Sequence, residues 1–279
     1  MRTLAFVSLL ALAPAAAFAV EISVGGTPIS VPAPAGCAEV TDAMKPYSDL
    51  SKKFVPPANE QFALFLEEAQ VALARSGAMP QSARRFYVQT TRDMMQPTIA
   101  ASDFAELKKV VKTQNDEVMK KAEAAMPGIF EKLNKGITDT YKVDLNLTMT
   151  QMLPFPTHDE SDASLSYSTF LKYNVTGADG KPSVFEGVVT TTFIYLRGKI
   201  LFLYINAEKN DLEWSRTASK QWTGQIFAAN PAIAGVAQTA TASRLTALDW
   251  SKVGNNALIG GFVGGIIGLV IYLFRKSKG

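Results

Sequence analysis

Two hydrophobic periods divide this chain. Glu21 to Val24 and Pro28 to Val31 flank Gly25-Gly26-Thr27, a hairpin signal, and Pro32 to Gly36 forms a proline-punctuated turn. Phe62 to Leu66, reading FALFL, predicts a buried strand, followed by a short helix from Glu67 to Ser76 stopped at Gly77, and Arg85 to Thr91 reads as a further strand. From Ser102 the period lengthens: Phe104, Leu107, Val111, Val118, Ala122, Met126, Ile129 and Leu133 recur at three- and four-residue steps, predicting an amphipathic helix over 102–135. Pro127-Gly128 is expected to break or kink it before it ends at Gly136. Strict alternation then returns from Tyr141 to Thr150 and from Leu165 to Val175. Val184 to Leu196 and Ile200 to Ile205 are joined by Arg197-Gly198-Lys199 as a hairpin; ILFLYI, apolar on both faces, predicts a central strand. Asp211 is placed to cap a last helix in which Trp214, Ala218, Trp222 and Ile226 stack at four-residue spacing, stopped by Asn230-Pro231.

Both ends of the chain depart from this globular pattern. Ala257 to Phe274 carries no charge over 18 residues, and at ~1.5 Å rise each it makes a helix of roughly 27 Å, just enough to span a bilayer. Arg275, Lys276 and Lys278 follow it, and Trp250 and Lys252 precede it, so the tail (275–279) reads as cytoplasmic and the rest as external. Arg2, the apolar run Leu4 to Leu12 and Ala17-Phe18-Ala19 read as a signal peptide over 1–19; retained as an anchor it would leave residues 20 to 250 on the same side. An outer domain at 20–230 and an Ala/Thr-rich tether at 231–256 complete the predicted order. The alanine-rich signal points to a bacterial inner-membrane protein with its main domain in the periplasm.

Charge narrows the function classes. Without Arg2 and the three basic tail residues, 24 basic residues face 25 acidic ones, so the outer domain has no basic surplus to neutralise phosphates and nucleic acid is excluded as a partner. Arg75, Arg84, Arg85 and Arg92 form a local cluster read as a solvated edge. Cys37 is the only cysteine, so no intrachain disulfide forms, and Pro34 rules out a lipobox. His158, the only histidine, lies in Thr157-His158-Asp159-Glu160-Ser161-Asp162, read as a solvated loop tip whose spacing matches neither a calcium loop nor a zinc pattern. No phosphate loop, serine elbow or paired-histidine motif is present, and no cofactor is expected.

A short N-terminal strand running into VPAPAGCAEV, meandering strands, and GKILFLYINA passing into DLEWSRTASKQWTGQIF resemble the PsbP-like and DcrB-like domains over roughly residues 22 to 230. The resemblance implies an antiparallel sheet sandwiched by helices and a non-catalytic envelope or lumenal domain that docks to membrane complexes; it carries over no catalytic residues. The residues independently give α+β, because their strands meet by hairpins rather than by crossover helices. The expected protein is therefore α+β with one C-terminal transmembrane helix: a single-pass, non-catalytic envelope protein that binds other proteins or assists a membrane complex. The alternative is a tethered periplasmic hydrolase or small-ligand sensor. In the membrane helix Gly260, Gly264 and Gly268 share one face, widened by Gly261 and Gly265, a strip suited to packing on a protein partner or a second copy within the lipid bilayer.

Overall fold

A computed structural model describes residues 19–113, 115–142, 146–176, 180–231 and 249–261. Its chain opens with β1 (Ala19–Val24) and β2 (Thr27–Pro32), an antiparallel pair closed by Gly25-Gly26, both with positive φ as a tight primed turn demands. There follow β3 (Cys37–Glu39), α1 (Tyr47–Lys53), β4 (Asn59–Glu67), α2 (Glu68–Arg75) and β5 (Arg85–Thr91). Then come α3 (Ala101–Thr113), α4 (Asn115–Tyr141), β6 (Asn146–Pro154), β7 (Asp159–Ser161), β8 (Ser164–Thr176), β9 (Pro182–Leu196), β10 (Lys199–Glu208) and α5 (Leu212–Ala229). A helix over 250–261, here α6, is the last described element.

Eight strands form one antiparallel sheet in the order β3-β4-β5-β10-β9-β8-β6, with β7 alongside β6 on β8. The doubly apolar ILFLYI strand takes the centre, as its pattern predicts: β10 pairs with β5 on one side and β9 on the other. Ile200, Phe202 and Tyr204 enter one core, with residues from α1, α3, α4 and α6 packed over them. Leu201, Leu203 and Ile205 enter a second core, closed by α5 and the β1–β2 hairpin. The fold is thus α+β, a mixed arrangement of antiparallel sheets and helices. On the α5 side, where β8 and β9 carry serines and threonines, Thr190 meets Ser215 at 2.7 Å and Thr192 meets Ser219, so hydroxyl pairs replace methyl packing there.

Several details differ from the sequence expectation. Pro127 lies inside α4 and does not end it; a proline there costs a helix about 3 kcal/mol, and the burial of Met126, Phe130 and Ile137 on either side offsets that. Tyr141 belongs to the end of that helix, and the described strand runs from Asn146 to Pro154. Asp211 makes no side-chain cap; its carboxylate accepts bonds of 3.0 and 3.1 Å from Arg84. Arg85 is no solvated edge residue but is wholly buried, its Nε donating to the Tyr47 hydroxyl at 2.7 Å, because β5 lies inside the sheet and is covered on both faces. Residues 250–256, read as tether, are helical. No helix among the described residues is long and apolar enough to cross a membrane. Of the segment 1–19 read as a signal peptide, residues 1–18 lie outside the described residues and Ala19 opens β1; most of the stretch read as tether (232–248) and residues 262–279, which hold most of the apolar stretch and the tail, also lie outside them.

Candidate functional site

Among the described residues the sheet ends at β6, and there its edge is open. Leu147, midway between positions whose side chains point outward, turns its backbone N–H and C=O away from β8 and toward α4. Asn134 meets both: its Oδ1 accepts from the Leu147 N–H at 3.1 Å and its Nδ2 donates to the Leu147 carbonyl at 3.3 Å. A single side-chain amide thereby makes the pair of bonds that a neighbouring strand would make. Beside this contact α4 and β6 enclose a groove of about 570 Å³, floored by Met126 and Phe130 of the helix and by Leu147, Met149 and Met152 of the strand. Glu131 is exposed on its wall. The volume falls within the usual range of ligand sites, and the mixture of apolar floor and open backbone suits an extended polypeptide. Periodicity on the helix marks Met126 as apolar, but Asn134 follows that apolar stripe as an ordinary polar residue, and nothing in the linear pattern couples it to a strand edge.

A second cluster surrounds His158. The ring is half-buried, its Nε2 3.3 Å from the Ser168 hydroxyl, which also lies 3.0 Å from Thr190 and accepts from Arg216 Nε at 3.4 Å. This corrects the loop-tip expectation: the His158 N–H bonds the Ser166 carbonyl and fixes the segment onto β8. Serine beside histidine is half of a nucleophile–base arrangement. Here Ser168 is wholly buried and joined to a chain of hydroxyls, and the carboxylate of Asp159 is engaged by Lys220 at 3.1 Å, so the contact fastens sheet to helix. Burial, and after it the Arg216 guanidinium, holds His158 below the ordinary histidine range. Because the folded value is depressed, this group's contribution to stability is fully present above the unfolded value of about 6.5 and is lost as pH falls through the folded one. Urea midpoints measured from pH 7.5 downward are therefore expected to decline below about 6.5, and less steeply in His158→Gln; parallel declines in both proteins would refute the assignment.

Cys37 lies buried on β3 with its thiol pushed up to about 12, by burial first and then by Glu67 and Glu68. Such a thiol is a poor nucleophile. Iodoacetamide at pH 8 is expected to leave it unmodified in the native protein and to alkylate it promptly in denaturant; rapid native alkylation would show that the β3 edge opens. Among the described residues no three His, Cys, Asp or Glu side chains gather in a way that could hold a metal ion.

Of the five glycines singled out in the apolar stretch, Gly260 and Gly261 are buried within the first core, against Tyr204 and Val189; Gly264, Gly265 and Gly268 lie outside the described residues.

Against known proteins, no family pattern matches the chain and no curated protein matches it in sequence. Solved structures with a similar arrangement include the cyanobacterial PsbP (CyanoP) from Synechocystis sp. PCC 6803, at 13% identity and a TM-score of 0.27, covering 78% of this chain and 95% of that one. They also include the Ran-binding protein Mog1p of Saccharomyces cerevisiae, at 12% identity and a TM-score of 0.27, covering 77% and 93%. At these TM-scores nothing about this chain is argued from the likeness, and no residue's role is carried across from it.

Proposed function

We propose that this chain is a non-catalytic, membrane-tethered binding domain that takes an extended segment of a partner protein along β6, beneath α4. The observation that supports this reading is the Asn134 amide paired to the Leu147 backbone at the sheet's open edge. An incoming strand would replace one amide by a row of backbone bonds and lay alternate side chains on Met126, Phe130 and Met149. The membrane anchor is the uncharged stretch 257–274 with its basic tail, which supports a single-pass protein of the bacterial inner membrane with this domain in the periplasm. A tethered small-ligand sensor is the second reading, favoured by the groove's volume.

The edge itself supplies the test. A benzophenone side chain at Thr148, in the full-length chain in its own membranes, is expected to give discrete protein adducts on illumination, and the same group at Glu39 on the opposite edge is expected to give none. Following the two-residue period, Met149 turns its N–H outward like Leu147, so Met149→Pro removes an edge donor and leaves the ladder to β8 intact. It is expected to abolish the Thr148 adducts with little change in melting temperature. Adducts that persist in Met149→Pro would overturn strand addition.

A further inference from the structure

Residues 257–261 belong to two structures that compete for them. In the described fold they are the end of α6 and part of the first core: Val253, Ala257 and Leu258 are almost wholly buried, the Tyr204 hydroxyl donates to the Ala257 carbonyl at 2.6 Å, and Asn59 Nδ2 donates to the Asn256 carbonyl at 3.2 Å. In the sequence the same residues open the uncharged 18-residue stretch. Held on the sheet, they leave 13 residues, 262–274, to cross the bilayer. At ~1.5 Å each these reach roughly 20 Å, about 10 Å short of a hydrocarbon core of ~30 Å.

We infer that docking of α6 on the sheet and full insertion of the stretch 257–274 exclude one another, so that membrane insertion strips α6 from the sheet and uncovers the face at Asn59, Gln89 and Tyr204. The inference rests on the membrane tether proposed above. The character of that face agrees with it. Within a largely apolar core, α6 lies in part on two buried amides and a hydroxyl: Asn59 donates to Gln89 at 3.0 Å, and Asn59 Oδ1 has no hydrogen-bond partner. Exposing amides and a hydroxyl to water restores their hydration, whereas a leucine face would resist opening. On the helix side Val253 and Leu258 surrender apolar area on release, while the contacts at Ala257, Gly260 and Gly261 surrender little. Both carbonyls that Tyr204 and Asn59 hold lie within a helix and have an intrahelical partner to fall back on in lipid.

The surface pair Lys252–Asp93, 2.9 Å apart and exposed on both sides, reports docking without disturbing the core. Asp93→Cys and Lys252→Cys, in a Cys37→Ser chain, would be joined by a short bis-maleimide in native membranes. A second version would carry seven extra leucines after Gly261, adding ~10.5 Å of span so that docking and insertion become compatible. The expected result is a cross-linking yield several-fold lower in the chain of natural length than in the lengthened one. Equal yields would overturn the inference, whether high, because the docked helix then coexists with the span, or low, because α6 then never docks. Alkaline carbonate extraction separates the two levels: release of the natural chain from the membrane would remove the tether, and the inference with it, while leaving the β6 groove untouched.

Discussion

Trp222→Ala is expected to remove about 3–5 kcal/mol from the domain, the range for truncating a large buried aromatic. Trp222 is 1% exposed and sits where three elements meet. Its ring stands edge-on to Phe65 of β4 and Phe86 of β5, with centroids 5.9 and 5.3 Å away, and its Nε1 donates to the Pro32 carbonyl at 2.8 Å. That last bond matters because β1 and β2 form a sheet of their own, with no strand pairing to the main one. They are held by packing, by this indole, and by Asn230, which exchanges bonds of 2.9 and 2.6 Å with the Ser30 backbone. Trp222→Phe keeps most of the packing and loses the donor, so it is expected to show a smaller loss of about 1–2 kcal/mol, consistent with one buried hydrogen bond and part of a ring. Urea unfolding measures both. Hydrogen exchange at Ile29 and Val31 should rise in Trp222→Ala before the main sheet loosens; unchanged exchange there would mean the hairpin is held without the indole.

Asn230 and Asn134 do the same thing at two places. Each uses a side-chain amide to satisfy the N–H and C=O of one residue on a strand edge, Ser30 on β2 and Leu147 on β6. The difference lies in the surroundings. Asn230 is itself 3% exposed and its Nδ2 also reaches the Ile226 carbonyl, so it is fixed in place. Asn134 is only half-buried and stands beside an open groove. One amide closes an edge for good, and the other holds an edge that a partner can take.

This contrast also marks how far the linear pattern reaches. ILFLYI identifies the central strand because apolar side chains on both faces require cover on both faces, and the Trp214-Ala218-Trp222-Ile226 row identifies α5's buried side for the same kind of reason. Both are local periodicities. Arg85 reads as solvated from the sequence because arginine is seldom buried, and only the placement of Tyr47 from a distant helix gives its Nε a partner. Asn134 and Leu147 are 13 positions apart with a change of element between them, and His158 reaches Ser168 through a strand register that alternation does not specify. The groove is therefore a product of topology: α4 must return along the edge strand that follows it before its apolar floor exists.

The glycines of the apolar stretch bring the docked helix and the membrane helix into direct conflict, and Gly260→Ile separates them. A β-carbon at position 260 would fall 2.6 Å from Asn59 Nδ2, 2.7 Å from Gln89 Oε1 and 2.8 Å from the Tyr204 hydroxyl, all closer than real contacts allow. The atoms it meets bond one another or the helix carbonyls, so they have little freedom to retreat. Isoleucine adds a branched side chain to that collision, and overpacking of this kind costs about 1–3 kcal/mol or expels the helix. At Gly254, on the same helix, the corresponding β-carbon meets only Val111 at 3.9 Å, an ordinary contact, so Gly254→Ala serves as the control. With α6 docked, thermal unfolding is expected to place Gly260→Ile several degrees below the natural protein and Gly254→Ala close to it, with faster amide exchange over 250–261 in the former. If Gly260 instead serves a smooth strip for helix packing in the bilayer, the effect moves: stability stays put and association between membrane helices weakens. A Gly260→Ile protein with unaltered melting and unaltered exchange would show that α6 is not held on the sheet through this glycine.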